Sequence, residues 1–189
     1  MKKIVFSLII AALLAFTVKG QSNPVEAINE LKQGTLIVNL IVPTKKIETL
    51  LNKGNKGASI KLQKEVELEN KAIMLAFANN YNFSKVLFIY SYDMGKLADG
   101  DATALFDTQG NKQSAVPANY LFVELSETGT RNLKGFVVKD RFRDSLQKPF
   151  PYFVSRYSAL RLHKRSFPTM VEKLQQGFIR FYADSVGKS

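Results

Sequence analysis

The chain of 189 residues has no cysteine, no tryptophan and a single histidine. Without cysteine there is no disulfide, no thiolate metal site, no redox dithiol and no lipid-modified cysteine. With His163 as the one imidazole, a multi-histidine zinc site is excluded, and any Ser-His-Asp or histidine–metal mechanism would have to use that residue. No G-x-S-x-G nucleophile turn occurs. There is also no internal repeat, no low-complexity tract and no linker that would divide the chain. Stability therefore rests on an apolar core, for which 14 Phe and seven Tyr supply large buried area.

The one long apolar stretch stands at the start. Met1-Lys2-Lys3 is cationic, Ile4 to Val18 is almost wholly apolar, and Val18-Lys19-Gly20 brings a small residue. Basic, apolar and small, in that order, is the pattern of a secretory signal peptide. The run is about 15 residues, short of the ~20 that cross a bilayer. The expectation is a leader over residues 1–20, cleaved after Gly20, and one globular domain over 21–189 with no membrane span. That domain would work in the periplasm, on the outer-membrane surface or outside the cell.

Charge is uneven along the expected mature chain. Residues 21–130 hold 11 basic and 12 acidic side chains, whereas residues 131–189 hold 13 basic and four acidic. The excess of positive charge lies in the last third, as in a face for anionic ligands.

Hydrophobic texture gives the order of elements. Ser22-Asn23-Pro24, with Val25, Ile28 and Leu31 and a stop at Gly34, reads as a short helix. Thr35 to Val42 is an inner strand, rich in β-branched residues and ended by Pro43. Thr44 caps a helix carrying Ile47, Leu50 and Leu51, and a longer helix runs from about Ala58 to Ala78. The strand Lys85–Ser91 follows, so strand, helix and strand imply a parallel crossover. Ala104–Asn111 reads as a strand entering a turn, with Gly110-Asn111 able to take positive φ. Tyr120–Leu125 and Gly135–Lys139 pair as an antiparallel hairpin, while Tyr152–Arg165 fits either a helix or a strand. A capping box at Thr169–Glu172 opens a terminal helix. The fold class is α/β (or α+β), with a mixed central sheet and helices packed on it. With Val116-Pro117 leading into the Tyr120 strand, the order over Thr35–Val186 resembles the thioredoxin-like fold. The dithiol of that family is missing, so the resemblance carries over no redox chemistry.

Two sets of residues are candidates for a site. Arg156, Arg161, His163, Lys164 and Arg165 are interleaved with Tyr152, Phe153, Tyr157 and Phe167. Arginine clamps phosphate or carboxylate, and aromatic faces stack on ligands. The partners this suggests are an anionic glycan, a lipid head group or an envelope protein, with no nucleic acid expected. The second set is Ser91, Asp93, Asp99 and Asp101, at the carboxyl end of the Lys85–Ser91 strand. Open α/β sheets form ligand crevices there, and three carboxylates suit a hard cation. The first set implies a non-enzymatic binding protein without a cofactor, and the second a hydrolase or metal-dependent enzyme.

Overall fold

The computed structural model describes residues 23–128, 133–158 and 163–186; the expected leader lies outside them. Its elements, in chain order, are α1 (Pro24–Gln33), β1 (Thr35–Leu40), α2 (Thr44–Asn52), α3 (Lys56–Asn80), β2 (Lys85–Tyr90), the short α4 (Met94–Ala98), β3 (Tyr120–Glu127), β4 (Lys134–Lys139), β5 (Phe153–Ser155) and α5 (Phe167–Val186). The five strands form one sheet in the order β2-β1-β3-β4-β5. β1 runs parallel to both β2 and β3, and β3-β4-β5 pair antiparallel. The sheet is mixed and the fold is α/β. Among the described residues no helix is long and apolar enough to cross a membrane.

β1 is central, and all six of its residues are buried. Because side chains alternate along a strand, its sequence TLIVNL feeds both sides of the sheet. Leu36, Val38 and Leu40 point to a layer of three helices, α1, α3 and α5. There they join Ile28, Leu31, Ile73, Phe77, Val171, Leu174 and Phe178 in one cluster. Ring contacts knit this layer: Phe77 lies 5.3 Å from Phe136, and Phe178 lies 5.7 Å from Phe150 and 5.6 Å from Phe83. Each such side chain, fully buried, contributes about 1.5–3 kcal/mol. On the other side Ile37, Leu87, Ile89 and Phe122 meet Leu97, Ala104 and Leu105 from the segment between β2 and β3. This second cover is thinner and lacks a long helix.

Local chemistry explains where the boundaries differ from the sequence reading. β1 ends at Leu40, two residues earlier than the apolar run, because the chain turns toward α2. Thr44 is the first residue of α2 rather than its cap, and no side chain caps that end. Asn55 caps α3 by accepting from the Ala58 amide at 3.4 Å. Ser166, not Thr169, caps α5: its Oγ accepts from the Thr169 amide at 3.3 Å, leaving Pro168 in the first turn where its missing N–H costs nothing. The expected strand at 104–111 is not formed. Phe106 alone bridges to Phe88 and to Lys112, and Gly110 turns the chain at φ 86°. The described residues of 152–165 take the strand alternative, with β5 and a bridge from Tyr157 to Lys164.

Candidate functional site

The middles of β1 and β3 are apolar but for one polar residue each at the fifth position, Asn39 in TLIVNL and Glu124 in YLFVELSE. The parallel register sets Thr35 opposite Tyr120 and therefore Asn39 opposite Glu124. Alternation turns both side chains to the face away from the three helices. β4 brings Lys139, paired with Phe122, to the same face. Asn39 Nδ2 donates to Glu124 Oε2 at 2.8 Å, and Lys139 Nζ donates to Glu124 Oε1 at 2.6 Å. Arg143 Nη2 stands 4.0 Å from Glu124 Oε2. Asn39 and Glu124 are only 3% and 6% exposed.

A buried carboxylate is costly unless paired and hydrogen-bonded, and these partners do that work. Burial alone would raise the pKa of Glu124. The hydrogen bonds of Lys139 and Asn39, with the charges of Lys139 and Arg143, outweigh burial and hold it below the ordinary glutamate range. The Asn39 amide is oriented by its donation to Glu124. Its Oδ1 is buried and has no hydrogen-bond partner among the described residues, an exception to the rule that buried acceptors are satisfied.

Arg143 is placed by the turn after β4. The Asp140 carboxylate accepts from the amides of Phe142 and Asp144, each at 2.9 Å. Arg143 then adopts φ 69°, which is uncommon for a residue with a side chain and costs of order 1–3 kcal/mol. Lys139, 18% exposed at its side chain, reaches from the cluster into a groove of about 550 Å³. Ser126, Thr128, Ser145, Gln147 and Lys148 line the groove with it. One ammonium held by a buried carboxylate, beside hydroxyls and an amide, can bind a polar anion. The Glu124 carboxylate is committed to its three neighbours.

The candidates from the sequence lie elsewhere. Asp93 is buried, and its carboxylate pairs with Lys96 at 2.6 Å. Ser91 Oγ accepts from the Val42 amide at 2.9 Å and so ties the end of β1 to the end of β2. Asp101 caps a 3-10 turn by accepting from the amide and hydroxyl of Thr103 at 2.9 and 2.6 Å. Asp99 is exposed at the end of α4. The three carboxylates do not converge, and among the described residues no group of three His, Cys, Asp or Glu could hold a metal ion.

In the C-terminal set, Arg161 lies outside the described residues. Arg156 is 7% exposed. Its guanidinium stacks 3.8 Å from the Phe167 ring centroid and donates to the Arg165 carbonyl. Arg165 donates in turn to the carbonyls of Ser155 and Tyr157. These two arginines are tied to the backbone carbonyls of Ser155, Tyr157 and Arg165, and of the other described members of the set His163 and Lys164 are exposed.

The chain matches no family model, no curated protein and no solved structure. The thioredoxin-like likeness therefore stays one of element order, and no residue role is carried from it. Sequence reasoning missed Asn39, Glu124, Lys139 and Arg143. The signal was present, since one polar residue interrupts the apolar middle of each of two inner strands.

Proposed function

We propose that the protein is an exported, non-enzymatic binding protein for an anionic ligand, which it meets through cations of its last third. The export half of this reading rests on the basic, apolar and small order of residues 1–20. The ligand half is carried by one observation: Lys139 is fixed on Glu124 and emerges in the groove beside Lys148. The observed burial moves the emphasis within the basic third. Arg156 and Arg165 are engaged with nearby backbone carbonyls, while Lys148 in the groove lining and Arg141 and Arg143 in the turn after β4 are exposed. An exposed cation costs little to turn toward a ligand, whereas a buried stacked one would have to break its packing first.

The test is retention on immobilised heparin as a polyanion, measured against a salt gradient. The wild-type protein should elute later than the double reversal R141E/K148E and alongside K61E/K64E, a reversal of equal charge on α3. Attraction between exposed charges is screened by salt, so the gap should close as ionic strength rises. Co-elution of all three proteins would refute the ligand reading. Export is tested separately by the N-terminal residue of the protein recovered from its host, which should be Gln21.

A further inference from the structure

The groove beside β4 is more specific than a cationic patch, and its lining points to a class of ligand. Resting on the reading above, we propose that it binds an acidic saccharide, with a single sugar carboxylate held by Lys139. Two features carry this assignment.

The first is the mixture of surfaces. The largely buried Val137 and Leu146, with Tyr152, form the groove's apolar floor beside Ser126, Thr128 and Gln147. A pyranose has apolar C–H faces and a rim of hydroxyls that both donate and accept. An apolar wall with a few placed polar groups matches that chemistry. A lipid chain would leave the hydroxyl and amide groups unpaired, which is costly once they are covered.

The second is charge. Among the residues that line the groove Lys139 and Lys148 face one carboxylate, Glu127, and Lys139 is itself paired with Glu124, so the lining carries only a small excess of positive charge. One proton of the Lys139 ammonium is already engaged by Glu124 at 2.6 Å, which leaves two for a ligand. That suits one carboxylate. Phosphate recognition selects convergent arginines or a run of backbone amides, and a dianion here would meet Glu127. Asn39 serves as a positioning residue: by donating to Glu124 it fixes the carboxylate that aims Lys139.

Calorimetric titration with trigalacturonate, the neutral galactose trimer, inorganic phosphate and phosphatidylglycerol vesicles tests the assignment. Trigalacturonate should bind, the neutral trimer should bind about tenfold more weakly for want of one charge-assisted hydrogen bond, and phosphate and vesicles should not compete. T128V and Q147A leave the net charge unchanged. Each should weaken trigalacturonate about fivefold while heparin retention stays as in the wild type. N39L should weaken it too, and a thermal melt of N39L shows whether fold is kept. Displacement of trigalacturonate by phosphate or vesicles would overturn the assignment, as would equal binding of the neutral trimer or unchanged affinity in both neutral variants. Retention on heparin that is sensitive to R141E/K148E, with no trigalacturonate binding, would sink the saccharide and leave the broader reading standing. Loss of both would remove both.

Discussion

On one face of the sheet Leu36, Val38 and Leu40 meet three helices through rings and aliphatic chains alone. On the other, one strand position on, Asn39 and Glu124 are also buried, and Glu124 holds Lys139 and Arg143 by charge. The first face gains its stability from area removed from water. The second spends desolvation energy on an ion pair that apolar residues could replace without loss, since buried pairs are often no better than a well-packed hydrophobic substitute. The difference places pH sensitivity on the polar face, where a buried carboxylate with a lowered pKa is held by its cations.

Four substitutions break or sharpen that contrast, read by urea melts followed by far-UV circular dichroism. Phe178→Ala opens a cavity among Tyr81, Phe83 and Phe150. It should cost about 4 kcal/mol, by the same amount at pH 7 and at pH 4. Lys139→Met strands the buried Glu124 carboxylate and should cost about 3 kcal/mol at pH 7. That loss should shrink on acidification. In the wild-type protein the Glu124 pKa is depressed, so its contribution is complete above the ordinary glutamate value of about 4.3 and disappears as pH falls through the lower folded value. In the variant the unpaired carboxyl takes up its proton sooner. A Lys139→Met loss that does not change with pH would remove the ion-pair account of this face.

Gly135→Ala probes the seam between β4 and β5. A methyl group there would meet the Val154 carbonyl and the Phe153 ring, and about 2 kcal/mol of destabilisation is expected. Ser166→Ala removes the α5 cap and should cost about 1 kcal/mol. The sharpest form of the comparison is the triple replacement N39L/E124L/K139M. It should unfold within about 1 kcal/mol of the wild type or above it, yet lose trigalacturonate.

Much of the helix face was legible because its signals are local. The spacing of Ile28 and Leu31, or of Val171, Leu174 and Phe178, repeats within a single element, and so does the apolar run of β1. The polar face was not legible for a physical reason. Asn39 and Glu124 are 85 residues apart, and their meeting depends on strand register, which no local pattern specifies. Asp93 stood at a strand end, where ligand sites are often found, but a lysine three residues on captures its charge. Arg156 read as a surface cation because its stacking partner, Phe167, arrives from the next element. The strand expected at 104–111 failed because Ala104 and Leu105 pack into the second cluster while Phe106 alone makes bridges, to Phe88 and Lys112, rather than a ladder.

The Phe88–Phe106 bridge also bears on the border of the sheet. The Phe88 amide donates to the Phe106 carbonyl at 2.8 Å, and the Phe106 amide returns the bond at 3.0 Å, so the outer rim of β2 has part of its backbone already engaged. At the opposite rim β5 is three residues long. Among the described residues each border therefore presents only a short or interrupted row of free amides and carbonyls, the arrangement that disfavours edge-to-edge association.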